Sequence, residues 1–516
     1  MADNAKRVAK NTLALYFRML FLLLVSLFTV RVVLQSLGVS DYGLYNVVGG
    51  FVGLFGFFSG TLTNAAQRYF AIHLALRDWD HLNKTFSLIL GIILAFSLLV
   101  LVISETAGLW FVINKMTIPE GRMTAAIIVY ELSVVSFIII MIASPLTALL
   151  VADENLSIYA IVSVIEGLFK LLIAYALMIF QCDKLILYAG LLFLVTMIVQ
   201  GFFLLYCKRQ YPALRVHFYR EYTEYKGIFS YINWNVIGAI AQILKGQGVN
   251  IIMNIFFGPA INASRGIAFT INGVVSSFSQ NFMKAVDPQI IKSYAEKDKD
   301  KFQFILITAS KLSYFLLFAI SLPLIFNVDY ILRLWLGTLP EFVNIFVILV
   351  LVDAWLTALT DPLGTGVQAV GKVKAYQILV GGTSLLNLPI SYALLYYYEI
   401  PWIPFVVGIC LSFMMGNLRI YISHRLYPID RILYIREVYF KVFATSAVVI
   451  GIGYHFFSNA CDLSGLVVNA TAVLLISFTA IIIVGLNSKE RQLVFRMLPI
   501  QRFFHRWYEI FMRVRK

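Results

Sequence analysis

The chain is dominated by apolar segments that are each long enough to cross a lipid bilayer. A bilayer-spanning helix needs about 20 apolar residues, and 60% of the 516 residues are hydrophobic. Because an unpaired backbone N–H or C=O group is costly in hydrocarbon, such segments are expected to fold as helices. This pattern predicts an all-α integral membrane protein and excludes a soluble globular one. The fourteen predicted transmembrane helices cover approximately residues 11–37, 43–67, 85–112, 123–151, 156–180, 185–207, 227–257, 262–286, 302–326, 342–369, 375–397, 402–423, 438–457 and 464–486.

The positive charges follow the predicted topology. The first apolar segment is too long for a signal peptide, so it is expected to be the first span. If the N-terminus is cytoplasmic, Lys and Arg concentrate in the loops on that side, as the positive-inside rule requires. The net charge of +14 is explained in this way and does not indicate nucleic-acid binding. Fourteen spans then place both termini in the cytoplasm. The cytoplasmic loops contain Lys208, Arg209, Arg215, Arg220, Lys226, Lys292, Lys297, Lys299, Lys301, Lys372, Lys374, Arg425, Arg431 and Arg436. The loops on the opposite side of the membrane contain only Lys115, Arg122, Lys184 and Arg333.

An internal repeat divides the predicted spans. Gly38, Asp78 and Asp80 recur 220 positions later in the same order. Because each copy has an even number of spans, six, both copies have the same orientation in the membrane. They are then expected to be related by an axis along the membrane normal. This symmetry is typical of transporters that work by alternating access. The matching residues are Gly258, Asp298 and Asp300, and, with an offset of 217, Pro145 with Pro362, Leu146 with Leu363 and Tyr159 with Tyr376.

The repeat predicts five regions. Two pseudo-symmetric six-helix lobes carry two additional helices and a tail whose apolar and basic residues suit an amphipathic helix on the lipid surface. The regions are residues 1–207 (N-terminal lobe), 208–226 (cytoplasmic linker), 227–424 (C-terminal lobe), 425–486 (helices 13 and 14) and 487–516 (basic cytoplasmic tail).

Three of the cations within predicted spans are candidates for binding a substrate. A charge in the bilayer is expensive and usually faces a bundle interior or an aqueous cavity. Lys245 and Arg265 have no acid on their own polar helix face, so these two and Arg18 are the predicted substrate-binding cations. Polar stripes at helical spacing must likewise face a cleft or another helix. Glycine-mediated helix packing is the alternative for these stripes. The predicted polar lining consists of Asn46, Asn64, Asn235, Gln242, Asn272 and Gln280.

Intramembrane carboxylates have two interpretations. Glu166 and Lys170 are spaced i, i+4 and are expected to form a structural ion pair. Glu131, Asp353 and Asp361 are candidates for binding a coupling H⁺ or Na⁺, because a carboxylate shielded from water can titrate near neutrality.

Enzyme signatures are missing from the sequence. It contains no Walker loop, no GxSxG elbow and no Gly-rich dinucleotide turn. The four cysteines and six histidines lack metal-ligand spacing. The Asp78-x-Asp80 sequence resembles the metal-binding acid pair of glycosyltransferases, but its recurrence indicates a repeated loop feature. We therefore predict a transporter without cofactor or metal, and a membrane polymerase or ligase is the less favoured alternative.

Four segments resemble Wzx-type polysaccharide transporters of the multidrug/oligosaccharidyl-lipid/polysaccharide (MOP) exporter superfamily. They are "RVVLQSLGVSDYGLYNVVGGF" from Arg31, "AAQRYFAIHL" from Ala65, "NIFFGPAINASRGIAF" from Asn254 and "DPQIIKSYAEKD" from Asp287. The resemblance implies two six-helix lobes forming a V around a central cavity, with Arg265 as a cavity cation. It also implies flipping of an undecaprenyl-diphosphate-linked oligosaccharide across the bacterial inner membrane for O-antigen, capsule or exopolysaccharide synthesis. The expected partners are this anionic lipid-linked glycan, membrane lipids and other polysaccharide-assembly proteins. A lipid II flippase and a cation-coupled multidrug exporter are the alternatives.

Overall fold

The computed structural model describes residues 2–153, 155–216, 243–371, 373–427, 429–456 and 462–497. Nearly all of these residues are helical, and this part of the chain contains no strand. Ten of the described helices are long and apolar enough to cross a membrane. The structure is therefore that of an all-α, multi-pass membrane protein, as predicted.

The N-terminal part of the chain forms seven helices. Asp183 caps the last of them, because its carboxylate accepts from the N–H groups of Leu185 and Ile186 at 3.1 and 3.2 Å. The helices are α1 (Ala2–Gly53), α2 (Gly56–Leu76), α3 (Trp79–Ile103), α4 (Leu109–Lys115), α5 (Met123–Ala152), α6 (Leu156–Ile179) and α7 (Lys184–Gln210).

Thirteen further helices follow residue 243 in the described ranges. They are α8 (Val249–Phe257), α9 (Pro259–Ala295), α10 (Lys299–Phe326), α11 (Val328–Leu336), α12 (Val343–Val370), α13 (Val373–Tyr376), α14 (Gly382–Leu385), α15 (Asn387–Tyr398), α16 (Ile403–Leu426), α17 (Arg431–Tyr434), α18 (Lys441–Phe456), α19 (Leu463–Ala480) and α20 (Ser488–Met497). π-Helical turns join several of them, at Ser104–Gly108, Leu244–Gly248, Gln377–Gly381, Ile435–Phe440 and Ile481–Gly485.

The predicted count of fourteen spans is not confirmed. Four predicted segments do not appear among the ten long apolar helices. The segment 43–67 is broken at Leu54 and Phe55, between α1 and α2, and 262–286 lies inside α9, whose polar residues lower its hydropathy. Segment 438–457 forms the shorter α18, and most of 227–257 lies outside the described residues.

The repeat appears in the backbone as two matching kinks. Gly38, inside α1, has φ 78° and ψ 168°, and Gly258, between α8 and α9, has φ 77° and ψ −177°. This region of φ/ψ space is essentially restricted to glycine. Pro259 then opens α9, a position where its missing N–H costs nothing. The two glycines separated by 220 residues therefore make the same turn.

A second pair of matching features starts α3 and α10. Asp78 and Asp298 are the N-cap residues, and each carboxylate accepts from the backbone N–H three residues later at 3.0 Å. The residues just before them, Arg77 and Lys297, both have positive φ, 55° and 58°. The first acid of each pair is thus a helix N-cap and the second lies in the first turn of that helix, which is the recurring loop feature expected.

The chain folds into two compact units. The first contains Met1–Ile271, Trp335–Val350 and Lys374–Leu411, and the second contains Asn272–Leu334, Leu351–Val373 and Ser412–Lys516. Buried apolar residues of α1, α5 and α7, such as Val47 and Tyr130, build a core in the first unit. The predicted lobe boundaries at residues 207, 227 and 424 stay a prediction.

A buried ion pair lies in the second unit. Lys311 on α10 and Glu490 on α20 are both fully buried, with Nζ and Oε2 2.5 Å apart. Glu437 lies 4.0 Å from the same ammonium group and also pairs with Lys441. Within this unit the pair holds α20 against α10, so the start of the predicted basic tail is fixed to the helical core.

Candidate functional site

Arg265 is buried on α9 without a carboxylate partner among the described residues. Its side chain is only 6% exposed. The Nη2 group donates to the carbonyl oxygen of Gly246 at 2.6 Å, and the guanidinium stacks over the ring of Phe269 at 4.2 Å. Its Nε–H has no partner in the described part of the chain. A carbonyl dipole and a ring therefore stabilise this charge, and hydrogen-bonding capacity remains for an anion.

The predicted Lys245 lies next to this arrangement. It belongs to the π-helical turn Leu244–Gly248, which supplies the Gly246 carbonyl to Arg265, and its side chain is half-buried. A π turn shifts backbone hydrogen bonds by one residue and is frequent at functional sites. The backbone thus brings Lys245 and Arg265 to one place in the first unit. The side chains of Arg18 and Asn64, and all of Asn235 and Gln242, lie outside the described residues.

Asn46 takes part in a chain of amides that joins three helices. Its Nδ2 donates to the Tyr42 carbonyl at 2.8 Å, and its own carbonyl accepts from Asn250 at 3.2 Å. Asn262 in turn donates to the carbonyl and side-chain oxygens of Asn250 at 2.6 and 2.8 Å. A Cβ on Gly266 would approach the Asn46 amide to 3.0 Å. These contacts are those of helix packing, and a ligand role for Asn46 stays a prediction.

The other predicted polar residues lie in the second unit. The side-chain oxygen of Asn272 accepts from the hydroxyl of Ser276 at 2.9 Å, and Gln280 is exposed. Both residues follow Ile271, the last residue of the first segment of the first unit. Their binding of a ligand also stays a prediction.

The candidate coupling carboxylates have different surroundings. Asp361 accepts from Nη1 of Arg419 at 2.7 Å, so its charge is compensated. Asp353 accepts from the Ser412 hydroxyl. Glu131, on α5, is half-buried, and a coupling role for these three carboxylates stays a prediction.

Two cavities in the first unit contain neither Lys245 nor Arg265. The larger, about 840 Å³, is lined by α1, α5, α6 and α7, and the smaller, about 400 Å³, also includes α2. Such volumes fall within the range of about 300–1,000 Å³ of typical ligand sites. The two cavities share Leu22, Ile140, Glu166, Lys170, Val199 and Gln200 as lining residues.

The Glu166–Lys170 pair is the charged feature of this shared wall. Nζ and Oε1 are 2.8 Å apart, as the i, i+4 spacing predicted, and the side chains are 38% and 43% exposed. An accessible pair of this kind stabilises a helix by only about 0.3–0.5 kcal/mol. Both side chains can therefore exchange partners readily. The sequence analysis interpreted them as a structural pair and did not predict their position on the cavity wall. The signal was present, because Tyr159 and Ser163 precede them at helical spacing on the wall of the smaller cavity.

The fold of the described helices is similar to that of solved membrane transporters, which superimpose on most of this chain. The lipid II flippase MurJ in an inward closed conformation matches with a TM-score of 0.63 and 13% identity, over 91% of this chain and 98% of that chain. An inward-facing multidrug resistance MATE family transporter of the MOP superfamily matches with a TM-score of 0.61 and 13% identity, over 78% and 96%. A MOP superfamily transporter from Pyrococcus furiosus, described as having a binding pocket of reverse polarity, matches with a TM-score of 0.52 and 12% identity, over 79% and 95%.

Sequence comparison adds one match. The MatE family matches residues 236–393, less than half of the chain. No curated protein matches the whole sequence or part of it. The structural neighbours are transporters. At 13% identity, their superposition on this chain shows a shared fold.

Proposed function

We propose that this protein flips an undecaprenyl-diphosphate-linked oligosaccharide across the bacterial inner membrane by alternating access, for surface polysaccharide biosynthesis. The observation that carries the proposal is the buried Arg265 guanidinium. It keeps hydrogen-bonding capacity beside the turn that contains Lys245, and no carboxylate neutralises it within the described residues. Intramembrane cations of this kind mark substrate pathways.

The chemistry of a lipid diphosphate matches this cation site. A diphosphate carries about two negative charges and needs cationic hydrogen-bond donors to pass the bilayer centre. Arg265 offers a planar fork for bidentate contact, and Lys245 offers a point charge on a flexible stem. Arg18 is the third proposed cation. Asn235, Gln242, Asn272 and Gln280 are the proposed ligands for sugar hydroxyls.

The lipid II flippase function is the second candidate. The likeness to MurJ extends over nearly the full length of both chains, and lipid II flipping also requires a lipid-linked diphosphate to cross the membrane. A multidrug exporter is less favoured, because a site for cationic drugs should present carboxylates where this chain has Arg265. The glycan and the lipid carrier are therefore the properties to be determined by experiment.

The positive-inside pattern supports the proposed orientation in the membrane. Both termini are proposed to be cytoplasmic, with the protein in the bacterial inner membrane beside other polysaccharide-assembly proteins. A coupling H⁺ or Na⁺ would be bound by Glu131, Asp353 or Asp361.

A reconstituted flipping assay tests the proposal. Proteoliposomes would contain the full-length protein and either an undecaprenyl-diphosphate-linked oligosaccharide or lipid II, and flipping would be followed by enzymatic access to the outer leaflet. We expect wild-type protein to flip the oligosaccharide lipid, and Lys245→Ala and Arg265→Ala to reduce the rate at least tenfold.

A matched control is available on the same helix. Lys292 has a side chain that is 76% exposed, so Lys292→Ala should flip at the wild-type rate. Flipping of lipid II alone would select the second candidate. Efflux of a cationic dye without flipping of either lipid would contradict the proposal.

A further inference from the structure

The two cavities of the first unit present hydrogen-bond acceptors to whatever fills them. The hydroxyls of Ser133 and Thr196, on the larger cavity, donate to their own helices at 2.7 and 3.0 Å. Ser163 and Thr147, on the smaller cavity, do the same at 2.8 and 2.9 Å. A hydroxyl whose hydrogen is used in this way retains oxygen lone pairs that can accept. The lining therefore favours a ligand that is rich in O–H donors.

Thr29 points to a ligand independently. It lines the larger cavity, is 9% exposed, and its Oγ1 has no hydrogen-bond partner within the described residues. A buried hydroxyl without a partner is costly. A ligand hydroxyl or a water at this position would satisfy it.

Charge and aromatic character narrow the ligand class. Glu166 and Lys170 cancel in charge, so an isolated anion reaching Lys170 would also meet the Glu166 carboxylate 2.8 Å away. A neutral polyhydroxyl group avoids this conflict, because each hydroxyl can donate to Glu166 and accept from Lys170. Tyr45 and Tyr188, edge to face with centroids 4.8 Å apart, add apolar ring surface to the larger cavity. Alternating hydroxyl edges and C–H faces are the surface of a sugar ring.

We propose that these cavities form a glycan subsite, in which the Glu166–Lys170 pair binds neutral sugar units while the cation site at Arg265 binds the diphosphate. This assignment rests on the proposed function and deepens it. Glu166 and Lys170 then select the glycan, whereas Lys245 and Arg265 recognise a headgroup common to many lipid carriers.

Photo-crosslinking in living cells tests the subsite. In producing cells fed ¹⁴C-glucose, p-benzoylphenylalanine would replace Phe137 or Phe193 in the larger cavity, Phe269 beside Arg265, or Phe202, which is 43% exposed on α7. Because glucose carbon also enters amino acids, the sugar label would be counted as ¹⁴C-monosaccharide released by acid hydrolysis of the purified, irradiated protein. We expect sugar label on the full-length protein at both cavity positions, at least threefold above the label at position 202. Lys170→Met and Glu166→Gln should each lower the cavity label at least threefold while leaving the label at 269 within twofold.

The outcomes separate the subsite from the function. Label at 269 without label at either cavity position would overturn the subsite and leave the flippase proposal standing. Cavity label that is insensitive to both Lys170→Met and Glu166→Gln would also overturn it. Sugar label at none of the four positions would count against the proposed function and the subsite together.

Discussion

Removing one partner of the buried Lys311–Glu490 pair should destabilise the second unit strongly. Both side chains are fully buried and their charged atoms are 2.5 Å apart. Lys311→Met would leave the Glu490 carboxylate facing neutral donors, the Thr308 hydroxyl at 3.4 Å and the Asn487 N–H at 2.8 Å. An uncompensated buried charge costs about 3–5 kcal/mol. We therefore expect Lys311→Met to lower the free energy of unfolding by that amount.

Substitution of Glu490 should lower the free energy of unfolding by a smaller amount. Glu490→Gln leaves the Lys311 ammonium with Glu437 at 4.0 Å and the Gly485 carbonyl at 3.4 Å, so the expected loss is about 1.5–3 kcal/mol. In the double variant Lys311→Met/Glu490→Gln no charge of the pair remains. Glutamine can keep the reciprocal cap with Asn487, whose Oδ1 accepts from the N–H of residue 490 at 2.9 Å. The double variant should lie within about 1–2 kcal/mol of wild type.

Equilibrium unfolding in mixed micelles with increasing sodium dodecyl sulfate would measure the three free energies. Lys292→Met is the control, because its pair with Glu296 is 3.8 Å long and largely exposed, and should change stability by less than about 0.5 kcal/mol. If the double variant lost as much unfolding free energy as the two single variants together, the argument that an unpaired buried charge causes the destabilisation would be refuted. If Lys311→Met lowered the unfolding free energy by less than about 1 kcal/mol, the burial of the ion pair would be refuted.

Three further predictions concern the first unit. Arg122 donates to Asp41 at 2.9 Å through Nε and to Asp183 at 2.6 Å through Nη1, so Arg122→Ala should lower the unfolding free energy by about 1.5–3 kcal/mol in the same titration. Burial raises the pKa of the Asp183 carboxyl, but hydrogen bonds from Arg122 and backbone N–H groups outweigh the effect of burial, so the pKa lies below the usual value. Wild type should therefore keep the stabilisation by the Arg122–Asp183 pair above about pH 4 and lose it on further acidification. Asp183→Asn should not show that loss. Gly38→Ala and Gly258→Ala should each cost about 1–3 kcal/mol through backbone strain alone, and equal stability of both variants with wild type would contradict the glycine-only conformation.

The repeat could be predicted because it depends on local backbone chemistry. Gly38 and Gly258 make the same turn, and Asp78 and Asp298 cap the next helices in the same way. Such features need only a few neighbouring residues, so two copies with little sequence identity still show them. The Glu166–Lys170 pair was predictable for the same reason, since its spacing on one helix sets the contact.

Tertiary contacts could not be predicted from the sequence. Arg122 meets Asp41 and Asp183 across 81 and 61 residues, and nothing in the local sequence connects them. Lys311 was overlooked although it interrupts an apolar segment, because its partner Glu490 lies 179 residues away. The cavities likewise arise where α1, α5, α6 and α7 meet, which no single helix pattern reveals.

Binding of undecaprenyl diphosphate to the purified full-length protein tests the central claim most directly. The claim is that the buried Arg265 and the half-buried Lys245 of the first unit recognise a lipid-linked diphosphate. The Kd of wild type, Arg265→Ala, Lys245→Ala and the control Lys292→Ala would be measured in nanodiscs at two salt concentrations. We predict binding by wild type and Lys292→Ala, with affinity falling as salt increases, and at least tenfold weaker binding by the other two variants. Equal affinity of all four proteins would contradict the account.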